Sequence, residues 1–472
     1  MHSRIAAAAI AFTVIILAGC SSQSNPTSGN GLTPSLRSQP GALMQPSNVG
    51  QESTLYVFQG KPDAGGAFGG LLAGSNGEFY GASFQGGTKN RGAVYQVSSS
   101  GAEQVLYSFK GGSDGSGSES DLIAGSGGVL YGVTLYGGSN STCPISYGCG
   151  TVFEMVPNGS GYSEHVLYAF KGPPDGVSPI GSLLLDKSGA LYGTTNYGGT
   201  ATTATCISVL GVGGCGTVFK LTPAGSGFSE KILYSFQGGS DGENPKGTLI
   251  ADAKGALYGT TQFGGGTSGC YPISTGDTSC GTVFKLLPSG AEKILYRFQG
   301  GADGGNPRAA LLDGKSGGDK RPRPLFGVTQ FGGSTTACNY GCGTAFELMP
   351  AKSGYTERII HNFSITPGDG HGPSDQDGLI ADASGDLFGT TISGGKGGSI
   401  KCGCGTVFEL TPSGSGYTET LLHSFKGAPE GWSVRASLTA DASGTLYGTT
   451  FLGGDKQSRC HARCGVVFKV SP

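Results

Sequence analysis

From Gln51 onward the hydrophobic positions fall in short clusters of four to six residues, separated by glycine-rich polar stretches. No apolar period near 3.6 is sustained, so the pattern predicts strands and turns rather than helices. One cluster is an apolar-aromatic run: LYVF at Leu55, LYSF at Leu106, LYAF at Leu167, LYSF at Leu233, LYRF at Leu295, IHNF at Ile360 and LHSF at Leu422. Successive starts lie 51, 61, 66, 62, 65 and 62 residues apart. A second is an aromatic-glycine pair at Tyr80, Tyr131, Tyr192, Tyr258, Phe326, Phe388 and Tyr447. A third is a GTVF-like run opening at Gly92, Gly150, Gly216, Gly281, Gly343, Gly405 and Gly465. Each signature occurs seven times in the same order, so the chain carries seven copies of one unit.

The unit from Gly181 to Phe236 shows the internal order. SLLLD, ALYGTT, GTVFKLTP and SEKILYSF read as four strands, here named A to D, joined by turns and by one longer B–C loop. Four antiparallel strands per unit are the signature of a propeller blade. The folded region opens with a lone D strand near Thr54–Phe58 and finishes with a C strand, Val466–Val470, that has no D after it. A β-solenoid accounts for the strands but leaves these complementary ends unexplained. A closed ring uses them, since the first strand completes the last blade and removes two free edges. The expectation is an all-β, single seven-bladed β-propeller of four-stranded antiparallel blades, residues 51–472, closed by its N-terminal strand.

At this point the repeat resembles the GloVer tandem-repeat family of bacterial exported proteins. The likeness rests on Tyr258-Gly259-Thr260-Thr261 with Gly264-Gly265, on GTVFKL at Gly281, and on LYSF at Leu233 with Gly238-Gly239-Ser240-Asp241-Gly242. It implies an exported, surface-anchored repeat protein and brings no catalytic residues. The fifth unit departs from the pattern, with Gly314 to Pro324 in place of a short A–B turn; Lys320, Arg321 and Arg323 are expected there on a solvated loop.

The N-terminus adds a compartment. Ile5 to Leu17 is an apolar run too short to span a bilayer but suited to a signal-peptide core. It ends in Leu17-Ala18-Gly19-Cys20, which resembles a bacterial lipobox and implies cleavage after residue 19 and lipidation of Cys20. Residues 20–50 are rich in Ser, Gln, Asn, Pro and Gly and read as a disordered tether. The expected partner of this end is a membrane, and the expected location is the bacterial cell envelope.

Cysteine usage follows from that compartment. Apart from Cys20, twelve of the 13 cysteines form six couples, each in the B–C loop of its own unit. They are Cys143/Cys149, Cys206/Cys215, Cys270/Cys280, Cys338/Cys342, Cys402/Cys404 and Cys460/Cys464. The first unit lacks both members, as covalent pairs predict. Zinc is the rival, but four ligands would have to converge, and the couples belong to separate blades. Disulfides are expected, with neither metal nor cofactor.

The formal charge of −2, without a basic stripe, argues against nucleic-acid binding. Asp114, Asp175, Asp241 and Asp303 occupy a Gly-Gly-x-Asp-Gly loop after strand D, with Asp63, Asp369 and Glu430 in related places. They read either as Asx turns ordering the D-to-A crossover or as a carboxylate ring facing a ligand. Asp186, Asp252, Asp382 and Asp441 read as A–B turn formers. His361 and His423 replace the Tyr of LYxF, and they and His165 read as packing or edge residues. No Ser–His–Asp order, HExxH or phosphate-cradling GxxxxGK(S/T) appears. B–C loops and D–A crossovers should share one face, where recognition is expected. The leading expectation is a monomeric, lipid-anchored scaffold binding a glycan or envelope protein there. The alternatives are a polysaccharide-active enzyme with its carboxylates gathered at the centre, and a purely structural envelope protein.

Overall fold

Seven antiparallel sheets with the strand order A-B-C-D form the blades, accompanied by two short two-stranded pairs, Ala64–Gly65 with Gln85–Gly86 and Gly115–Ser116 with Tyr136–Gly137. The computed structural model describes residues 50–471 apart from 139–141, 160, 202–205, 207–211, 226, 267–269, 271–278, 315–322, 335–337, 339, 353, 367, 374–377, 396–403, 415 and 455–463. All described residues belong to one unit, Gly31–Pro472. None of its helices is long and apolar enough to cross a membrane.

The recurring motifs are the interlock of each blade. Strand B of the third blade, Leu191–Gly198, pairs with strand C, Thr217–Ala224, so that Gly193 faces Phe219. A Cβ on Gly193 would lie 2.6 Å from the Phe219 ring. The aromatic-glycine pair therefore exists because the strand C aromatic lies across the glycine. The same encroachment occurs at Gly81, Gly132, Gly259, Gly327, Gly389 and Gly448. Beside it, the Thr195 and Thr217 hydroxyls lie 2.8 Å apart in a buried pair repeated in blades 2, 4, 5 and 6.

The terminal Phe of LYxF joins neighbouring blades. Phe109, Phe170, Phe236, Phe298, Phe363 and Phe425 are each buried edge-on against the strand C Phe of the next blade, with ring centroids 5.0–5.2 Å apart. The seventh contact closes the ring, because Phe58 meets Tyr95 of the first blade at 5.0 Å. Just before it, Gln51–Val57 pairs antiparallel with Val466–Ser471 as strand D of the last blade. The architecture is a seven-bladed propeller closed by its N-terminal strand.

Strand A departs from the sequence reading. In blades 3, 4 and 6 it is two pieces: Gly176–Pro179 and Leu184–Leu185 both pair with Leu191–Gly198, for example. Part of what reads as crossover is therefore sheet. Its Gly, Ser and Pro content hides the strand from propensity, and pairing with the far end of strand B overrides that preference. The intervening residues cross to the next blade. Gly70 N–H donates to Asp121 Oδ1 (2.6 Å), Asp121 N–H to Ser182 Oγ (2.9 Å) and Ser182 N–H to Thr248 Oγ1 (3.0 Å). Ser437 Oγ donates to Asp121 Oδ2 at 2.9 Å, stitching the last blade to the second across Gly70. In the fifth blade, Gly314 N–H donates to the Pro324 carbonyl across the insertion, and Arg323 pairs with Asp313. Lys320 and Arg321 lie outside the described residues.

Candidate functional site

The crossover carboxylates are distributed, one to each blade interface. Asp114, Asp175, Asp241 and Asp303 each accept a hydrogen bond from the tyrosine seven residues earlier, at 2.5–3.0 Å. Each also accepts the backbone N–H four residues earlier, as from Lys110 to Asp114 at 2.8 Å. Asp63 does the same with Tyr56 and Gln59. These bonds order the turn that starts the crossover, and the four aspartates do not meet at a common point.

A residue that sequence reading missed completes each interface. Strand D of every blade carries Glu four places before the Tyr or His: Glu52, Glu103, Glu164, Glu230, Glu292, Glu357 and Glu419. Each faces the crossover carboxylate of the preceding blade. Burial first, and that neighbouring negative charge second, raise Glu103 and Glu357 to about 8. The same causes raise Glu52, Glu164, Glu230, Glu292 and Glu419 to about 7. An acid that shares its proton with a second carboxylate ionises late. The signal was the recurrence E-x-x-x-[YH]-x-F, masked because each Glu works with a residue of the previous unit.

At the centre, a cavity of about 390 Å³ is lined by small and aliphatic residues, among them Leu71, Leu122, Ile380 and Leu438. Its single carboxylate, Asp121, is buried and engaged by Gly70 and Ser437. The paired carboxylates expected of a central hydrolytic site are not gathered there among the described residues.

The B–C loops hold four described disulfides, Cys143–Cys149, Cys206–Cys215, Cys270–Cys280 and Cys338–Cys342, with Cα separations of 5.1–5.7 Å. Cys404 and Cys464 are also disulfide-bonded. Cys402, Cys460 and Cys20 lie outside the described residues. The second cysteine of each couple also clamps the next blade: the Cys215 carbonyl accepts from Asn244 N–H and the Cys149 carbonyl from Ser178 N–H, both at 2.8 Å. Gly216 follows because the backbone turns there to φ +97°, where a Cβ would meet Pro245 and the Thr195 carbonyl at 2.5 Å.

That face also carries an aromatic arc. Tyr147, 65% exposed inside the Cys143–Cys149 loop, lies 6.1 Å from Tyr136. Tyr136 lies 6.5 Å from Phe84, Phe84 5.6 Å from Phe68, and Phe68 4.0 Å from Phe451. The Arg435 guanidinium sits over Phe68 and Phe451, 5.5 and 5.8 Å from their centroids. The arc crosses blades 2, 1 and 7. Phe68, Phe84, Tyr136 and Phe451 are partly exposed although no hydrophobic stripe runs through the sequence there.

The sequence profile of the Gloeobacter/Verrucomicrobia repeat matches residues 31–266, 146–337 and 272–472. The chain belongs to the Gloeobacter/Verrucomicrobia repeat family. No curated protein matches it in sequence. Among solved structures, it is similar to a gluconolactonase from Xanthomonas campestris at 11% identity and a TM-score of 0.37, covering 89% of each chain. It is also similar to a protein from Lactobacillus plantarum at 11% identity and a TM-score of 0.44, covering 86% of this chain and 98% of that one. The propeller assignment of this family member rests on its own strand pairing.

Proposed function

We propose that this repeat-family propeller is a carbohydrate-binding module whose contact surface is the aromatic arc on the crossover face. The observation that carries the reading is the run of five rings from Tyr147 to Phe451, capped by Arg435. Partly exposed rings on a rigid scaffold offer flat apolar faces for the C–H side of a sugar. Arg435 supplies donors suited to hydroxyl edges. The staple around Tyr147 holds the most exposed ring without the ordering cost of a free loop.

On a glycan array, the purified full-length chain should retain a defined set of polysaccharides. Tyr136→Ala and Phe451→Ala should each weaken that binding by at least about tenfold, a loss of about 1.4 kcal/mol. Array binding that is absent, or indifferent to both substitutions, would sink the reading. The lipobox-like Leu17–Cys20 supports placing the module at the bacterial envelope on a lipid anchor. Cys20→Ala should then move the protein from the membrane to the soluble fraction, and unchanged fractionation would refute the anchor.

A further inference from the structure

Five of the seven blade interfaces seat a tyrosine against the crossover carboxylate, whereas two consecutive ones seat a histidine. We propose that these two, His361/Asp369/Glu419 and Glu52/His423/Glu430, are binding sites for a divalent transition-metal ion of the zinc type.

The substitution changes the chemistry of the position. Tyrosine brings its own proton and donates it to the aspartate, as Tyr168 does to Asp175 at 2.9 Å. A neutral imidazole has two tautomers, one presenting N–H to the carboxylate and the other a lone pair that a cation between the two groups would take up. The separations fit the second. His361 Nε2 lies 3.5 Å from Asp369 Oδ1, and His423 Nε2 lies 3.4 Å from Glu430 Oε2. An N–H···O hydrogen bond is shorter, typically about 2.9–3.0 Å. Two ligands on one tetrahedral zinc, each about 2.0–2.1 Å from the metal, stand about 3.4 Å apart. In each cluster the three ligand atoms lie within 4.8 Å of one another.

The first cluster carries an independent mark of a missing partner. His361 Nε2 and Asp369 Oδ1 are both buried without a hydrogen bond, whereas at the tyrosine interfaces the equivalent aspartate oxygens are bonded, as in Asp175. The other oxygen of Asp369 is held by Ser364 Oγ at 2.7 Å, which fixes Oδ1 toward the imidazole. The imidazole is oriented by an edge-on contact with Phe363 at 4.7 Å. His423 has the same contact with Phe425, and its Nε2 is likewise buried without a hydrogen bond. In this second cluster Lys426 also reaches Glu430, at 3.4 Å, so it should hold the metal less tightly. Three protein ligands leave a fourth position for water or for a donor group of a bound partner.

The test is zinc titration of the full-length, untagged chain by calorimetry, with metal content after dialysis as a second readout. About two zinc ions per chain should bind, one per cluster, and raise the melting temperature. His361→Tyr installs the residue of the other interfaces, so the blade should fold with its own packing. That variant should lose the tighter site, and His361→Tyr combined with His423→Tyr should lose both along with the thermal shift. Cobalt in place of zinc should give the visible absorption of a tetrahedral site in the parent and none in the double variant. If the parent takes up no metal, or the folded double variant binds zinc as the parent does, the proposal is wrong. A melting temperature that falls in the variants without any metal dependence would mean a plain imidazolium–carboxylate pair and would equally overturn it.

Discussion

Phe58→Ala should destabilise the protein as much as Phe236→Ala, and deletion of Gln51–Val57 should abolish the cooperative fold. Both expectations follow from closure. Phe58 makes with Tyr95 the contact that Phe236 makes with Phe284, at 5.0 and 5.1 Å, and both phenylalanines are fully buried. Truncating such a ring costs about 3–5 kcal/mol. In an open array, Phe58 would sit in a terminal unit able to fray, and its loss would be felt far less than a central one. The strand before it is paired along Val466–Ser471 and half-buries Leu55, Tyr56 and Val57. Losing roughly half a dozen ladder hydrogen bonds, at about 1 kcal/mol each, already approaches the net stability of a typical domain, about 5–15 kcal/mol. The deletion also bares an edge on Val466–Ser471, a template for pairing with another chain. Urea denaturation of the two point variants, and gel filtration of the deletion, provide the measurements. A Phe58→Ala cost well below that of Phe236→Ala, or a monomeric deletion variant with an unchanged melt, would contradict closure.

Blade number and closure were legible because they depend on residues recurring at fixed places within each unit. Tyr-Gly, GTVF and LYxF mark positions where one blade must fit itself and its neighbour in the same way seven times. What stayed hidden depends on relations between units or on their differences. Glu103 acts on Asp63, which follows strand D of the preceding blade, so no local motif joins them. The arc joins Phe84 and Phe451, at a place where other units carry Leu135, Asn196, Gln262, Gln330 and Ile392, to Phe68 of a crossover and to Tyr136 one place further on, so no one recurring motif marks it. His361 and His423 were visible as departures from LYxF, yet their carboxylate partners come from a crossover and from the next strand D. The inner piece of strand A was lost for another reason: its sequence favours turns, and only the extended end of strand B makes it a strand.

The seven-fold carboxyl pairing gives the other large expectation, that the protein grows less stable as pH rises from 5 to 8.5. The folded state holds a proton on Glu103 and Glu357 up to about pH 8, and on Glu164, Glu230 and Glu292 up to about pH 7. The ordinary glutamate value is 4.5. Between these limits the folded chain binds more protons than the unfolded one, so stability is fully present below about pH 4.5 and is lost as pH rises through 7–8. Each carboxyl keeps partial contact with water, which reduces its share to about 1 kcal/mol. Five such interfaces, measured with a chelator present to leave the histidine clusters empty, should lower the melting temperature by about 5 °C. The acid side is bounded by other groups. Burial opposes the ionisation of Asp186, Asp252 and Asp441, but hydrogen bonds from Ser188, Ala256 and Ser443 and their neighbours outweigh it and hold all three below the usual range. Their contribution is present above an ordinary aspartate value of 3.8 and is lost as pH falls below it, so the stability maximum should lie near pH 4–5. Glu164→Gln keeps a donor toward Asp114 without a proton to lose. It should raise the melting temperature at pH 8.5 and leave it nearly unchanged at pH 5. A flat profile across this range, or a Gln variant that shifts both pH values equally, would show that the interfaces do not share a proton.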